Sequence, residues 1–191
     1  MNAPPGYFGK VASHGDFVQR GLAPAFVAGW DRWLQDSLRH SRAQLGEAWL
    51  PAYLYSPLWR FALGAGVCGE RAMGGVLMPS VDRVGRHFPL TLAAPIDGQG
   101  EPMSALSGRA AAWFAALERL AFSSLAHGFS LPALDRAMTE MARADAAPAC
   151  AKELAGRSMF WTVGGAQDPA PLVCAGLPAP DVFCAMLRER P

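Results

Sequence analysis

The stretch from Pro79 to Pro95, PSVDRVGRHFPLTLAAP, joins a dense polar cluster directly to an apolar run. Ser80, Asp82, Arg83, Arg86 and His87 crowd the first half around Gly85. Phe88 to Ala94 reads as a buried strand. Only 17% of the chain is charged, so four ionisable groups between positions 82 and 87 stand out. A charged loop that runs straight into a core strand presents fixed side chains at one end of a sheet. Such a loop is either a site or a structural knot of ion pairs, and residue type leaves both readings open, because Arg serves both.

The rest of the chain supplies a sheet and its cover. Tyr7 to Val11 is a short strand candidate, and Ser13 to Asp16 forms a polar turn around Gly15. Pro24 opens an amphipathic helix: Phe26, Trp30, Trp33, Leu34, Leu38 and Leu45 share one face at helical spacing, while Asp31, Arg32, Gln35, Asp36 and Arg39 take the other. Trp49 to Tyr55 is a short helix or turn broken by Pro51 and Pro57. Trp59, Phe61 and Leu63 alternate with Arg60, Ala62 and Gly64, which predicts a half-buried strand over Leu58 to Ala65. Strands at Met73 to Met78 and Phe88 to Ala94 follow, and their short connections favour an antiparallel meander.

After a turn at Asp97 to Gly100, a long helix is expected over Ser104 to Ala126, with Leu106, Trp113, Phe114, Leu117 and Leu125 on its apolar face. Ser130 caps the next helix, and Pro132 lies in its first turn. A surface connection from Arg143 to Pro148, a strand at Met159 to Val163, a loop from Gly164 to Pro171, a short strand at Leu172 to Ala175 and a helix from Pro180 complete the chain. The expected architecture is one α+β domain over residues 1–191: a mostly antiparallel central sheet of about five strands with helices on its faces.

With 191 residues and 51% hydrophobic composition, the chain can bury a sizeable core. A formal net charge of +1 gives no electrostatic case for nucleic acid or an anionic membrane. Cys68, Cys150, Cys174 and Cys184 show no CxxC spacing, so free thiols in a reducing, cytosolic setting are expected. No stretch approaches the roughly 18 apolar residues of a membrane span.

Candidate chemistry is sparse. Ser80, Asp82 and His87 hold the atoms of a hydrolytic triad, but lie within eight positions and without a nucleophile elbow. Ser13, His14 and Asp16 read better as a capped turn. His14, His40, His87 and His127 are scattered, so neither a metal nor any other cofactor is expected. Gly64-Ala65-Gly66 and Gly74-Gly75 fit no phosphate-binding pattern. What remains is Asp82, Arg83 and Arg86 in one polar turn with Asp16 and Arg20 in the other. An Arg–carboxylate pair would lock the two turns together; the alternative role is to face a partner or bind an anion.

Three ordered blocks resemble a known family. Gly6 to Leu22, GYFGKVASHGDFVQRGL, with Trp30 and Trp33 behind it, resembles the opening of the TagF (ImpM) family of type VI secretion. Pro79 to Thr91 looks like that family's central signature, and Ser158 to Trp161 with Gly176 to Pro178 and Phe183 to Leu187 is similar to its C-terminal part. Val11-Ala12 departs from the Leu-Pro step common there. The resemblance implies a cytosolic bacterial accessory protein that represses type VI secretion post-translationally. It would act by protein–protein binding in the pathway of a forkhead-associated-domain scaffold, and without enzymatic activity. Asp16, Arg20, Ser80, Asp82, Arg83 and Arg86 are then partner-binding or structural motif positions. The alternative is a sensor of a small or phosphate-bearing ligand using loop 80–87.

Overall fold

The computed structural model describes residues 5–96, 110–144, 154–163 and 170–189. Seven strands form a single sheet: β1 (Gly6–Gly9), β2 (Val18–Arg20), β3 (Trp59–Leu63), β4 (Met73–Met78), β5 (Leu90–Pro95), β6 (Arg157–Trp161) and β7 (Leu172–Ala175). Their order is β2-β1-β5-β4-β3-β6-β7, and every neighbouring pair is antiparallel. The helices are α1 (Pro24–Leu45), α2 (Trp49–Leu54), α3 (Ala111–Ser123), α4 (Leu131–Ala144) and α5 (Pro180–Met186), with a 3-10 turn at Gly46–Ala48. The fold is α+β, and the expected meander is present as β3-β4-β5.

The sheet has seven strands rather than about five. Beyond those five, the Tyr7–Val11 candidate is realised as β1, and the unexpected β2 pairs with it as a hairpin, with Tyr7 opposite Arg20 and Phe8 opposite Gln19. Val18–Arg20 is only three residues long and leaves Gln19 and Arg20 exposed, so it carries no alternating apolar signal. The turn over 97–100, the start of the long helix with Leu106, the connection over 145–148, Cys150 and most of the loop from Gly164 lie outside the described residues.

Helices cover both faces of the sheet, and the strands sort their side chains accordingly. On one side Tyr7, Val76, Leu90 and Leu92 meet Trp113, Phe114 and Leu117 of α3 and Met138 of α4. On the other, Phe8, Phe61 and Phe160 meet Phe26, Trp30 and Trp33 of α1, Tyr53 of α2 and Phe183 of α5. Neighbours Tyr7 and Phe8 point to opposite layers, as a strand's period of two requires. Because both faces are covered, β3 is buried throughout rather than half-buried. Arg60 is accommodated by a two-pronged pair with Glu118 of α3, Nε to Oε1 at 2.7 Å and Nη2 to Oε2 at 2.8 Å. Leu125, placed on the apolar face of the long helix from its spacing, is exposed, because α3 ends at Ser123 before reaching it.

α1 is the principal helix of its layer. Pro24 is preset for the first turn, and Gly46 (φ 52°) ends the helix with its N–H donated to the Arg42 carbonyl. Trp30 is fully buried and donates from its indole to Thr91 Oγ1 of β5 at 2.8 Å. Trp33 donates to the Pro178 carbonyl at 2.8 Å and meets Phe183 edge-on. These two contacts tie α1 to the sheet centre and to the C-terminal segment.

Candidate functional site

The polar half of the 79–95 stretch builds one corner of the molecule. Val81 and His87 pair as an isolated antiparallel bridge. Inside it the Gly85 N–H donates to the Asp82 carbonyl, and the Asp82 N–H to the Arg86 carbonyl, both at 3.0 Å. Gly85 takes φ +85°, which closes a tight three-residue hairpin that a residue with Cβ would strain. Asp82 Oδ1 accepts the N–H groups of Val84 at 3.0 Å and Arg86 at 2.9 Å. The aspartate thus shapes its own turn.

The other carboxylate oxygen binds the neighbouring turn. Asp82 Oδ2 lies 2.7 Å from Lys10 Nζ and 2.6 Å from Arg86 Nε. Arg86 also donates from Nη2 to the Gly15 carbonyl, and the Arg83 N–H donates to the His14 carbonyl at 2.9 Å. The Asp82 side chain is completely covered. Desolvation alone would raise its pKa, but the hydrogen bonds from Lys10, from the Arg86 backbone and side chain and from Val84 overcome this. They hold the carboxyl well below the usual carboxylate range.

Behind the hairpin stands α2. The Tyr53 hydroxyl donates to the Ser80 carbonyl at 2.7 Å and accepts the Ser80 N–H at 2.9 Å. Burial pushes the Tyr53 phenol pKa up. Ser80 Oγ donates to the Lys10 carbonyl at 2.7 Å, and the His87 ring sits edge-on against Trp49 and Tyr53. Ser80, Asp82 and His87 are therefore each engaged by different partners and do not form a relay. Under the corner, Phe17 stacks on Phe8 and meets Phe88 edge-on, with Lys10 Nζ 5.1 Å from its ring centre.

The two polar turns are locked together, but by different residues than Asp16 and Arg20. Asp16 accepts the Phe17 N–H at 2.8 Å. Arg20 leaves the corner for Asp135 of α4 at 2.5 Å. Arg83 and Arg86, neighbours in sequence, differ in use: Arg86 is part of the lock, while the Arg83 side chain has no hydrogen bond among the described residues. Sequence reasoning missed Lys10 as the buried counter-charge of Asp82. Its signal was there: a rare lysine, one of two among 17 basic residues, inside the apolar run Tyr7 to Val11.

Among the described residues no three His, Cys, Asp or Glu side chains gather as a metal site, and no helix is long and apolar enough to cross a membrane. Cys68, Cys174 and Cys184 are free thiols; burial pushes the Cys68 thiol up to about 11. Of two hollows among the described residues, one borders the corner at Pro79 and Pro89 and is lined by Tyr53, Trp59 and Phe183, and the other lies between α2 and Leu187 to Glu189.

Fold and corner together define an antiparallel α+β protein that displays a fixed, arginine-bearing hairpin at one end of its sheet. Residues 6–141 match the TagF N-terminal domain, type VI secretion system-associated. The crystal structure of PA0076 from Pseudomonas aeruginosa PAO1 superposes with a TM-score of 0.83 at 36% sequence identity, covering 96% of this chain and 93% of that one. No curated protein matches the chain. The chain belongs to the TagF family and is a type VI secretion-associated protein.

Proposed function

We propose that the chain is a cytoplasmic accessory regulator that represses type VI secretion post-translationally by binding a protein partner, in the pathway of a forkhead-associated-domain scaffold. The observation that carries this reading is family membership across residues 6–141. The corner geometry supports a binding role: Asp82 and Arg86, engaged with each other and with Lys10 and the Gly15 carbonyl, fix the hairpin that leaves Arg83 and Val84 exposed. No catalytic step is assigned to them. A ligand sensor is the weaker fit, because neither hollow described is lined by residues 80–87.

The reading is tested in the source bacterium with its secretion system active. Raising the level of the chain is expected to lower release of secreted substrates without lowering the amounts of the machine's components. Tagged chain is expected to retain the forkhead-associated scaffold. Unchanged release at high levels of folded protein counts against repression. Loss of the components themselves points to control of synthesis instead.

A further inference from the structure

We infer that the outer face of α2, with the hollow it forms against Leu187 to Glu189, is the interface of a two-fold dimer of this chain. This outer face takes no part in the polar corner.

No charged side chain occurs between Glu47 and Arg60, and α2 falls in that gap. Its side chains divide into stripes. Trp49 and Tyr53, one turn apart, are buried. The Trp49 indole donates to Ser41 Oγ at 2.9 Å, and the Tyr53 hydroxyl holds Ser80. These bonds fix the helix to α1 and to the corner. The outward stripes are apolar as well. Leu50 and Leu54, again one turn apart, are 42% and 52% exposed, and Tyr55 is 81% exposed. Tyr55 continues the helical path, donating its N–H to the Pro51 carbonyl at 3.0 Å. A helix that is apolar all round is normally buried. Three of the eight large apolar side chains exposed among the described residues fall between Leu50 and Tyr55, which makes α2 a patch rather than part of a scatter.

Shape and charge both point to a second copy as the cover. Beside the ridge is a hollow of about 770 Å³, lined by Ala48, Pro51, Ala52 and Tyr55 from one helical stripe and closed by the C-terminal segment from Leu187. One patch thus carries both a projecting ridge and a recess. A two-fold interface needs that combination, because the same surface supplies knob and hole. At the border stand Arg42, its guanidinium 4.2 Å from the Trp49 ring centre, and Arg188, with Glu47 and Glu189; all four are exposed. Two charges of each sign let a turned copy set acid against base, whereas a partner of one net sign finds no excess to recognise. An anionic bilayer is disfavoured on the same ground. A small ligand would meet no buried polar group in the wall to orient it.

The test uses the full chain in equilibrium sedimentation from micromolar to millimolar protein and, labelled with nitrogen-15, in amide spectra over the same dilution. The mass is expected to rise to twice that of the chain, and the signals of Leu50, Ala52, Leu54, Tyr55 and Arg188 to move with it. Leu54→Glu is expected to raise the dimer dissociation constant roughly tenfold or more, since a leucine loses its cover and a charge replaces it. Its melting temperature in dilute solution should match wild type, because Leu54 faces outward in the free chain. Leu54→Met is expected to keep the dimer. A monomer at millimolar protein overturns the inference, as does a dimer that Leu54→Glu leaves intact or whose dilution shifts lie away from α2. A monomer that binds phosphatidylcholine vesicles, and loses this in Leu54→Glu, makes the face a lipid contact. A monomer whose Leu54→Glu variant alone loses repression in cells makes it a contact for a different protein. Either result overturns the dimer.

Discussion

Asp82 is a covered carboxylate with four hydrogen bonds, one from a covered lysine. Asp82→Asn removes the charge that compensates Lys10, and leaving a buried charge without its partner is strongly destabilising. The melting temperature is expected to fall by roughly 10 °C for a chain of this length. The same group sets an acid limit. Its folded pKa is depressed, so the unfolded chain takes up the proton more readily than the folded one. The stabilisation is whole above about pH 5 and drains away as pH drops through the ordinary carboxylate value of about 4 toward the folded value. Thermal melts from pH 7 to pH 3 should show this slope in wild type and a flatter one in Asp82→Asn. The two arginines separate in the same assay: Arg86→Ala should lower the midpoint by roughly 3 °C, and Arg83→Ala should shift it by about 1 °C or less. The importance of Asp82 and Arg86 was legible in the loop's own composition. Lys10 was not, because its partner lies 72 residues away and strand pairing alone brings them together.

At the scale of elements, alternation located β3 but misplaced Arg60. The pattern read it as facing water, whereas α3 crosses that face and supplies Glu118. This pair has side chains only 7% and 18% exposed, so removing one member leaves a largely buried charge. Glu118→Ala is expected to cost about 3 kcal/mol in denaturant melts, while Arg60→Met combined with Glu118→Leu recovers most of that. A single loss no larger than that of the double variant would show that the pair contributes little. β5 begins at Leu90 rather than Phe88, because the Phe88 N–H donates to the Ser80 carbonyl and belongs to the corner. Gly64, in the expected strand and with a glycine's use in turns or tight strand packing, marks a close approach: an added Cβ would lie 1.6 Å from the Leu154 carbonyl oxygen. Nothing in local composition distinguishes such a glycine from one in a turn.

For the molecule as a whole, hairpin locality gave β3-β4-β5 but not the outer pairings. β1 joins β5, and β6 joins β3, each across a long stretch of chain. The family match ends at residue 141, yet β6 and β7 extend the same sheet and α5 packs on α1. A fragment of residues 1–141 would leave β3 as an uncovered edge and bare the faces of Trp33 and Phe61, a recipe for strand-to-strand aggregation. Expression of that fragment should yield insoluble protein; a soluble, sharply melting fragment would show that the sheet closes without β6. The sheet order also sets a timetable for synthesis. Eighty residues separate β1 from β5. At about 5–20 residues per second, β1 waits roughly 4–16 s for its inner neighbour. During that interval only β2 is available to it, and a lone two-stranded hairpin is marginal in water. Phe8 soon meets Phe17 and α1, but Tyr7, on the opposite face, emerges from the ribosome long before β5 and α3 can cover it, which makes this strand one for a chaperone to hold.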